Sequence, residues 1–348
     1  MVSGTPTAAI LLPMTMPWTL IANPAAGDGG AAQTGTACAA RLRDSGRPVD
    51  LRLTQGPSHA TELAAEAVQQ GHGAVVVCGG DGSIARVLPA LAQTQTALGI
   101  IPAGTGNDLA RALGIPRSPA AAVRLLCTER PRAMDLGKCG DRWFATVAAF
   151  GFDAEVSETM LQGRAPLPGA AGYVLESLRH LRKYQAPRIR LSGDFGDLEQ
   201  EVFLTAIANT RSYGGGMRIA PSASPDDGCF DVCVIDGSLS KASLLGLLPR
   251  VFWGGHIQHP GVRMLRTRSI QLEAIRPEAI HPEPISMEPV ARTHLLHADG
   301  EPLTELSDQP AIMRVETNAL RVIRPTAPVP SHAYHVVPGT AGQVCPIL

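Results

Sequence analysis

Lysine is almost missing from this chain of 348 residues, occurring only as Lys138, Lys183 and Lys241. Arginine therefore carries nearly all the basic charge, and 30 basic against 31 acidic side chains leave a formal net charge of −1. So even a balance excludes a global field that would draw the chain to nucleic acid or to an anionic bilayer. No unbroken apolar run reaches the roughly 18 residues needed to cross a membrane. The first 16 residues are apolar but hold no lysine or arginine, and Pro6 and Pro13 within them and Pro17 just after break any helix, which argues against a secretory leader. The seven cysteines, at 38, 78, 127, 139, 229, 233 and 345, contain no Cys-x-x-Cys and are odd in number. Reduced thiols in the cytoplasm are expected rather than disulfides or zinc, and the pairs His256/His259 and His294/His297 lack the further ligands of a zinc pattern. Also absent are a G-x-x-x-x-G-K-[ST] P-loop and a G-x-G-x-x-G after the first strand. With 45% apolar and 18% charged residues, the chain has ordinary globular composition and is long enough for two domains.

The most informative stretch is residues 74–108, where two apolar runs each empty into a glycine-rich turn that opens a helix. Ala74–Cys78 leads into Gly79-Gly80-Asp81-Gly82-Ser83, and Leu98–Pro102 into Ala103-Gly104-Thr105-Gly106-Asn107-Asp108. Short unbroken apolar runs fit strands buried on both faces of a parallel sheet. The turn at the carboxyl end of such a strand is where open α/β sheets place ligands. Glycines there allow a phosphate to approach the backbone, and the N–H groups at the helix start supply donors and a favourable dipole. Asp81 in such a loop calls for a bridging magnesium ion between carboxylate and phosphate.

Trp18–Ala22 reads as the first strand, running into Asn23-Pro24-Ala25-Ala26-Gly27, and Val49–Thr54 as the second. Helical spacing follows at Ala60, Leu63, Ala64, Ala67 and Val68, at Ile84, Val87, Leu88 and Leu91 with Pro89 inside, around Leu109–Leu113, and over Pro119–Cys127. Strands alternating with helices predict a right-handed βαβ domain. From Ala133 onwards the runs 143–149, 189–191, 202–209, 230–235, 270–274 and 312–316, separated by turn residues, predict a mainly antiparallel sandwich. Helices are expected over 172–184 and 241–253, and a proline-rich loop over 276–293. This divides the chain into an extension (1–16), an α/β domain (17–132), a β-rich domain (133–318), a closing strand (319–325) and a tail (326–348).

The paired turns GGDGS and PAGTGND resemble the GGDG[TS] and P-x-G-[TS]-x-N-D signatures of the catalytic domain shared by diacylglycerol, sphingosine and ceramide kinases. NAD kinases share the GGDG element, and the resemblance implies their fold: an α/β domain followed by a β-sandwich. It covers residues 17–325, with Asn23–Gly27 similar to the family's N-P-x-[SA]-G loop and Gly151-Phe152-Asp153 to its G-x-[DS] turn. It implies ATP held by Asn23, Pro24, Ala25, Ala26, Gly27, Thr54, Gly79, Gly80, Asp81, Gly82, Ser83, Gly104, Thr105, Asn107 and Asp108, with Asp81 serving Mg2+. Residues 220–231 resemble a stretch that in bacterial relatives holds a structural magnesium. On that basis Asp227 would supply a carboxylate, and Ser224 and Cys229 main-chain carbonyls. His297-Ala298-Asp299-Gly300-Glu301 matches the late D-G-E motif, implying Glu301 as general base and Asp299 as its catalytic neighbour.

Two departures stand out. Relatives often read GGDGT-x-N-E, whereas this chain has Ala85 and Arg86, reversing the charge at the last position. The 276–293 segment is longer than in relatives. The activity implied is ATP- and magnesium-dependent phosphorylation of a lipid hydroxyl, with diacylglycerol the leading acceptor. Sphingoid bases or ceramide, an NAD kinase activity, and a silent nucleotide- or lipid-binding role are the alternatives. The partner implied is a lipid substrate at the membrane surface, with no nucleic acid and with homodimerisation left open. The expected location is the cytoplasm, with peripheral contact at the inner face of the membrane. The apolar helices near 172–184 and 241–253, each flanked by basic residues, are the candidates for that contact.

Overall fold

The computed structural model describes residues 13, 15–26, 29–154, 156, 179–275, 294–306 and 309–326. Gly27, most of the helix expected over 172–184, the 276–293 loop and the tail from 327 lie outside the described residues.

Strands β1 (Trp18–Ala22), β2 (Val49–Leu53), β3 (Ala74–Gly79) and β4 (Ala97–Pro102) run parallel in the order β2-β1-β3-β4. Helices α1 (Ala31–Asp44), α2 (His59–Gln69), α3 (Asp81–Leu91), α4 (Asp108–Ala112) and α5 (Pro119–Thr128) are interleaved with them or follow. The unbroken apolar runs have their explanation here, since successive side chains enter different layers. Ile21, Val75, Val77 and Ile100 pack with Leu63, Ala64, Val87 and Leu88 of α2 and α3. Leu20, Val76, Cys78 and Ile101 pack with Ala39 and Leu42 of α1 and Leu126 of α5. A strand covered on both faces has no use for a polar position.

The second half contributes β5 (Pro131–Cys139), β6 (Arg142–Phe144), β7 (Val147–Gly151), β8 (Arg188–Gly193), β9 (Gly196–Ala208), β10 (Phe230–Asp236), β11 (Val262–Thr267), β12 (Ser269–Ala274), β13 (His294–Ala298), β14 (Glu301–Leu306) and β15 (Ala311–Ile323). Their mutual pairings are antiparallel. The long β9 serves both layers of the sandwich, pairing with β8 through its first half and with β7 and β10 through its second. Phe144, Phe150, Ile207, Phe230, Val232, Ile270 and Met313 fill the space between the layers. Helix α6 (Lys241–Val251) covers an outer face with Leu244, Leu247 and Val251. This is the expected α/β domain followed by a β-sandwich.

Strand β15 shows one difference from the sequence reading, which separates 312–316 from 319–325. The structure makes them a single strand with a register shift between Glu316 and Leu320, where Asn318 takes φ +54°. A bulge places extra residues against the partner and breaks the alternation that marks a strand. Past the bulge, Val322 aligns in parallel with Leu98 of β4, so this strand ties the sandwich to the first domain.

At the heart of the sandwich, Phe144 stacks on Phe230 with ring centroids 5.6 Å apart, and its ring lies flat over Gly137. A Cβ at position 137 would sit 2.1 Å from Phe144 Cζ. Gly137→Ala should therefore force the ring aside and lower unfolding free energy by about 1–3 kcal/mol, the usual cost of overpacking. Denaturant titration checks this; an unchanged midpoint would show that the ring repacks freely.

Candidate active site

Strands β1, β3 and β4 end on one edge, and backbone hydrogen bonds lock their turns together. Asn23 N–H donates to the Cys78 carbonyl (3.5 Å) and Ala103 N–H to that of Gly79 (3.0 Å). Asn23 Oδ1 accepts from Ala25 N–H (3.0 Å) and from the Thr54 hydroxyl (3.5 Å), bringing in the end of β2. Gly80 and Gly104 meet backbone to backbone, and a Cβ on Gly104 would lie 2.5 Å from Gly80 Cα. A recess lined by Ile21, Asn23, Thr54, Val77, Ser83 and Arg86 opens beside them. The structure thus gathers Asn23–Ala26, Thr54, Gly79–Ser83, Gly104 and the exposed Thr105 on one edge.

Asn107 and Asp108 build this edge rather than face it. Asn107 adopts the left-handed conformation (φ +50°), and its amide closes the turn, accepting from Gly104 N–H (2.9 Å) and donating to the Gly104 carbonyl (2.5 Å). Asp108 is buried and accepts Gly215 N–H from the second domain, at 2.9 Å to Oδ2. Burial holds its carboxyl above the usual range, and nearby Asp81 pushes the same way, while the Gly215 hydrogen bond opposes them. This crossing to Gly214–Gly216 is absent from the sequence reading. Its trace in the chain is three consecutive glycines, all at positive φ.

Asp81 opens α3, and its Oδ1 accepts Leu109 N–H (3.1 Å). Its Oδ2 and that of Asp108 flank Gly106, at 3.0 and 3.3 Å from where a Cβ there would stand. Asp81, a hard carboxylate oxygen beside amide-rich turns, is the residue that would hold a magnesium ion here.

The second domain reaches this edge through the β13–β14 hairpin. Asp299 (φ +53°) and Gly300 (φ +82°) form its two-residue turn, the Asp-Gly pair favoured where both φ values are positive. The Asp299 carboxylate accepts Ala145 N–H (2.7 Å), Thr146 N–H (2.8 Å) and the Thr146 hydroxyl (2.5 Å). Burial raises its carboxyl above the usual range, against those donors. Asp299 therefore anchors the turn, and the next residue, Glu301, is the one presented to the first domain. Glu301 Oε1 lies 3.3 Å from where a Cβ on Gly82 would be and 3.4 Å from Arg86 Nη2. Both side chains of this pair are partly exposed, 36% for Arg86 and 44% for Glu301. The sequence marks Arg86 as a charge reversal but gives no sign that it meets Glu301 across the domains.

Of the magnesium set expected at Ser224, Asp227 and Cys229, the Asp227 carboxylate is engaged by groups of the chain itself. Asp227 Oδ1 accepts Cys229 N–H (3.2 Å), and Oδ2 is paired with the Arg266 guanidinium. Burial pushes the Asp227 carboxyl up to about 6 despite Arg266, so near neutral pH it is charged and already has its counter-charge. The Ser224 hydroxyl donates to Asp226 Oδ1 (2.7 Å).

Residues 17–139 match the model of the diacylglycerol kinase catalytic domain. Residues 146–324 match that of the YegS C-terminal NAD kinase beta sandwich-like domain. A diacylglycerol kinase of Mycobacterium tuberculosis (strain CDC 1551 / Oshkosh) is 37% identical over 263 residues, covering 73% of this chain and 84% of that protein. A Pseudomonas aeruginosa (strain PAO1) protein described as "Probable lipid kinase YegS-like" is 34% identical over 235 residues, 67% of this chain and 75% of its own. The crystal structure of a diacylglycerol kinase from Bacillus anthracis str. Sterne superposes with a TM-score of 0.70 at 22% identity, covering 89% of this chain and 98% of that one, and shows the shared fold.

Since Arg266 supplies the positive charge at Asp227, Asp227→Ala should cost about 1 kcal/mol, the scale of a partly exposed ion pair. The loss should be equal in magnesium and in chelator when followed by thermal unfolding. A loss confined to magnesium-containing buffer would restore a bound cation at this position.

Proposed function

This chain belongs to the diacylglycerol kinase family and is a lipid kinase, and from that premise we propose that it transfers the γ-phosphoryl group of ATP, with magnesium, to a lipid hydroxyl. Diacylglycerol is the leading acceptor and phosphatidic acid the product. The single observation that carries the reading is Glu301, a carboxylate of the second domain held over Gly82 at the amino end of α3. The phosphates would lie against the turns at Asn23, Gly79–Ser83 and Gly104–Thr105, where glycine allows close approach and helix-start amides donate. Magnesium, when bound, would neutralise phosphate charge, and Asp81 is the residue to hold it.

Glu301 takes the proton of the acceptor hydroxyl as that oxygen bonds to the γ-phosphorus. The bond from phosphorus to the β–γ bridging oxygen breaks, and ADP leaves with the electron pair. Arg86 keeps the Glu301 carboxylate over the phosphate turns, and it also lines the recess beside Asn23, Thr54 and Ser83. From there the guanidinium can exchange Glu301 for the incoming terminal phosphate, a more highly charged partner. The acceptor would arrive from a bilayer surface. We assign that contact to the exposed Leu245 and Phe252 near α6, with Lys241 and Arg250 beside them. No acidic residue occurs between Asp236 and Glu273, which suits an anionic lipid surface.

Radiolabelled ATP with a panel of diacylglycerol, sphingosine, ceramide and NAD tests the acceptor. Labelled phosphatidic acid is expected; label in NAD alone, or in nothing despite ATP binding, would overturn the reading. On the same panel, Glu301→Gln should lower kcat by about 10²- to 10⁴-fold, the range of a general base, with ATP binding retained. Arg86→Ala should raise KM for ATP and leave binding of ADP nearly unchanged. Equal weakening for both nucleotides would remove the terminal-phosphate role.

A further inference from the structure

A second polar recess lies where the two domains meet, away from the phosphate turns. Arg132 at the start of β5, Arg211 in the loop after β9 and Arg324 just beyond β15 converge on it, with Asp226 as its sole carboxylate. It measures about 680 Å³ counting its open mouth, ample for a tetrahedral anion and part of whatever carries it. We propose that this recess is an anion site built for a phosphate group, distinct from the site of phosphoryl transfer.

The charge count is the first argument: three guanidiniums face one carboxylate, leaving the lining at +2. That carboxylate is itself engaged, Oδ2 by Arg324 Nη2 (2.9 Å) and Oδ1 by the Ser224 hydroxyl (2.7 Å). Unmade hydrogen bonds are the second. The Nε–H groups of Arg132 and Arg324 are buried and have no acceptor among the described residues. A buried donor left unpaired costs about 1–3 kcal/mol, and native proteins leave few of them. A phosphate offers several oxygens and meets guanidinium forks in the bidentate geometry they favour. The hydroxyls of Thr210, Ser224 and Thr326, which line the same recess, already donate to the Ser212 carbonyl, Asp226 and Glu129, so the guanidiniums are the donors that face an anion there. Asp226 is the one repulsive group. Its engagement by Arg324 and Ser224 reduces that repulsion, and a net positive lining remains.

The position gives occupancy a consequence. Ala112 at the end of α4 lines the recess, while Asp108 at its beginning closes on Gly215 across the domains. Four helical rises separate the two ends, about 6 Å. An anion joining Arg211 to Arg132 and Arg324 would brace the seam on which the transfer site also depends. A phosphomonoester is the ligand class, borne either by a lipid headgroup or by free phosphate. The inference does not depend on which lipid the enzyme phosphorylates.

The test uses the full chain with a non-hydrolysable ATP analogue saturating the transfer site. Thermal unfolding is then followed in inorganic phosphate and in chloride at matched ionic strength. Phosphate should raise the melting temperature beyond chloride, and Arg132→Gln and Arg211→Gln, at the two sides of the recess, should each weaken phosphate binding about tenfold, as expected for one charge-assisted contact. Arg132→Lys, which keeps the charge and loses the fork, should fall between. Equal stabilisation by phosphate and chloride would overturn the proposal, and so would phosphate binding untouched in whichever Gln variant folds. Vesicles of phosphatidylcholine, with and without phosphatidic acid, separate the two sources. Displacement of phosphate only by the phosphatidic acid vesicles assigns the site to a headgroup, and phosphate binding indifferent to both assigns it to the free anion.

Discussion

A contact that involves no side chain sets the arrangement of the candidate site: Gly80 against Gly104. The turns after β3 and β4 can touch only because neither carries a Cβ there, one of which would stand 2.5 Å from the opposing Cα. Their closure puts the first amides of α3 beside the turn that Asn107 fastens. It also brings Asp81 to the start of α4, where Leu109 N–H holds one of its oxygens. Every later element of the site is placed relative to that pair of turns. Glu301 comes to rest over Gly82, and Asp108 crosses to Gly215. A larger residue at either glycine would separate the turns and disturb both crossings between domains.

How readily each part could be read from the sequence follows from how its residues are buried. Strands β1, β3 and β4 are legible because helices cover both faces and leave an unbroken apolar run. The sandwich is harder. In β11 (VRMLRT), Arg263 and Arg266 interrupt the apolar residues, and only its end residues, Val262 and Thr267, are fully buried. The chain there does not announce a strand. Strand β15 reads as two because its bulge, held by Asn318 N–H on Asp135 (2.8 Å), breaks the alternation in the middle. Strand β14, with Pro302 near its start, buries only Leu303 and Leu306 and so shows no alternation, and what the sequence shows instead is the Asp-Gly of the β13–β14 turn.

The site divides along a similar line. Motif spacing reveals which residues converge, but not which of them are used up in holding the others. Asp299 and Asn107 belong to motifs that suggest direct contact with substrate, yet their polar atoms are engaged by Ala145, Thr146 and Gly104. Partners more than 100 residues away in the chain carry no local signature, as with Asp108 and Gly215 or Arg86 and Glu301. The latter pair is too exposed to add much stability. What it does is place a carboxylate of the sandwich beside the start of α3, a positioning effect that needs little energy.

The scarcity of lysine acquires a structural meaning at the loop Asp226–Asp227. Two adjacent carboxylates are clasped by guanidiniums from different strands, Asp227 by Arg266 in β11 and Asp226 by Arg324 beyond β15. An ammonium on a flexible stem could neutralise either charge, but it has no fork with which to hold a carboxylate and reach a main-chain carbonyl as well. Arg324 does both, donating to Asp226 and to the Ala133 carbonyl (3.0 Å). Asp135, two residues on from Ala133, accepts Gly228 N–H from the same loop and Asn318 N–H from the bulge of β15. The loop is thus clamped by both guanidiniums and by Asp135. Planar, always-protonated cations allow a nearly neutral chain to clamp this loop of the sandwich through a few directed contacts rather than through a broad electrostatic field.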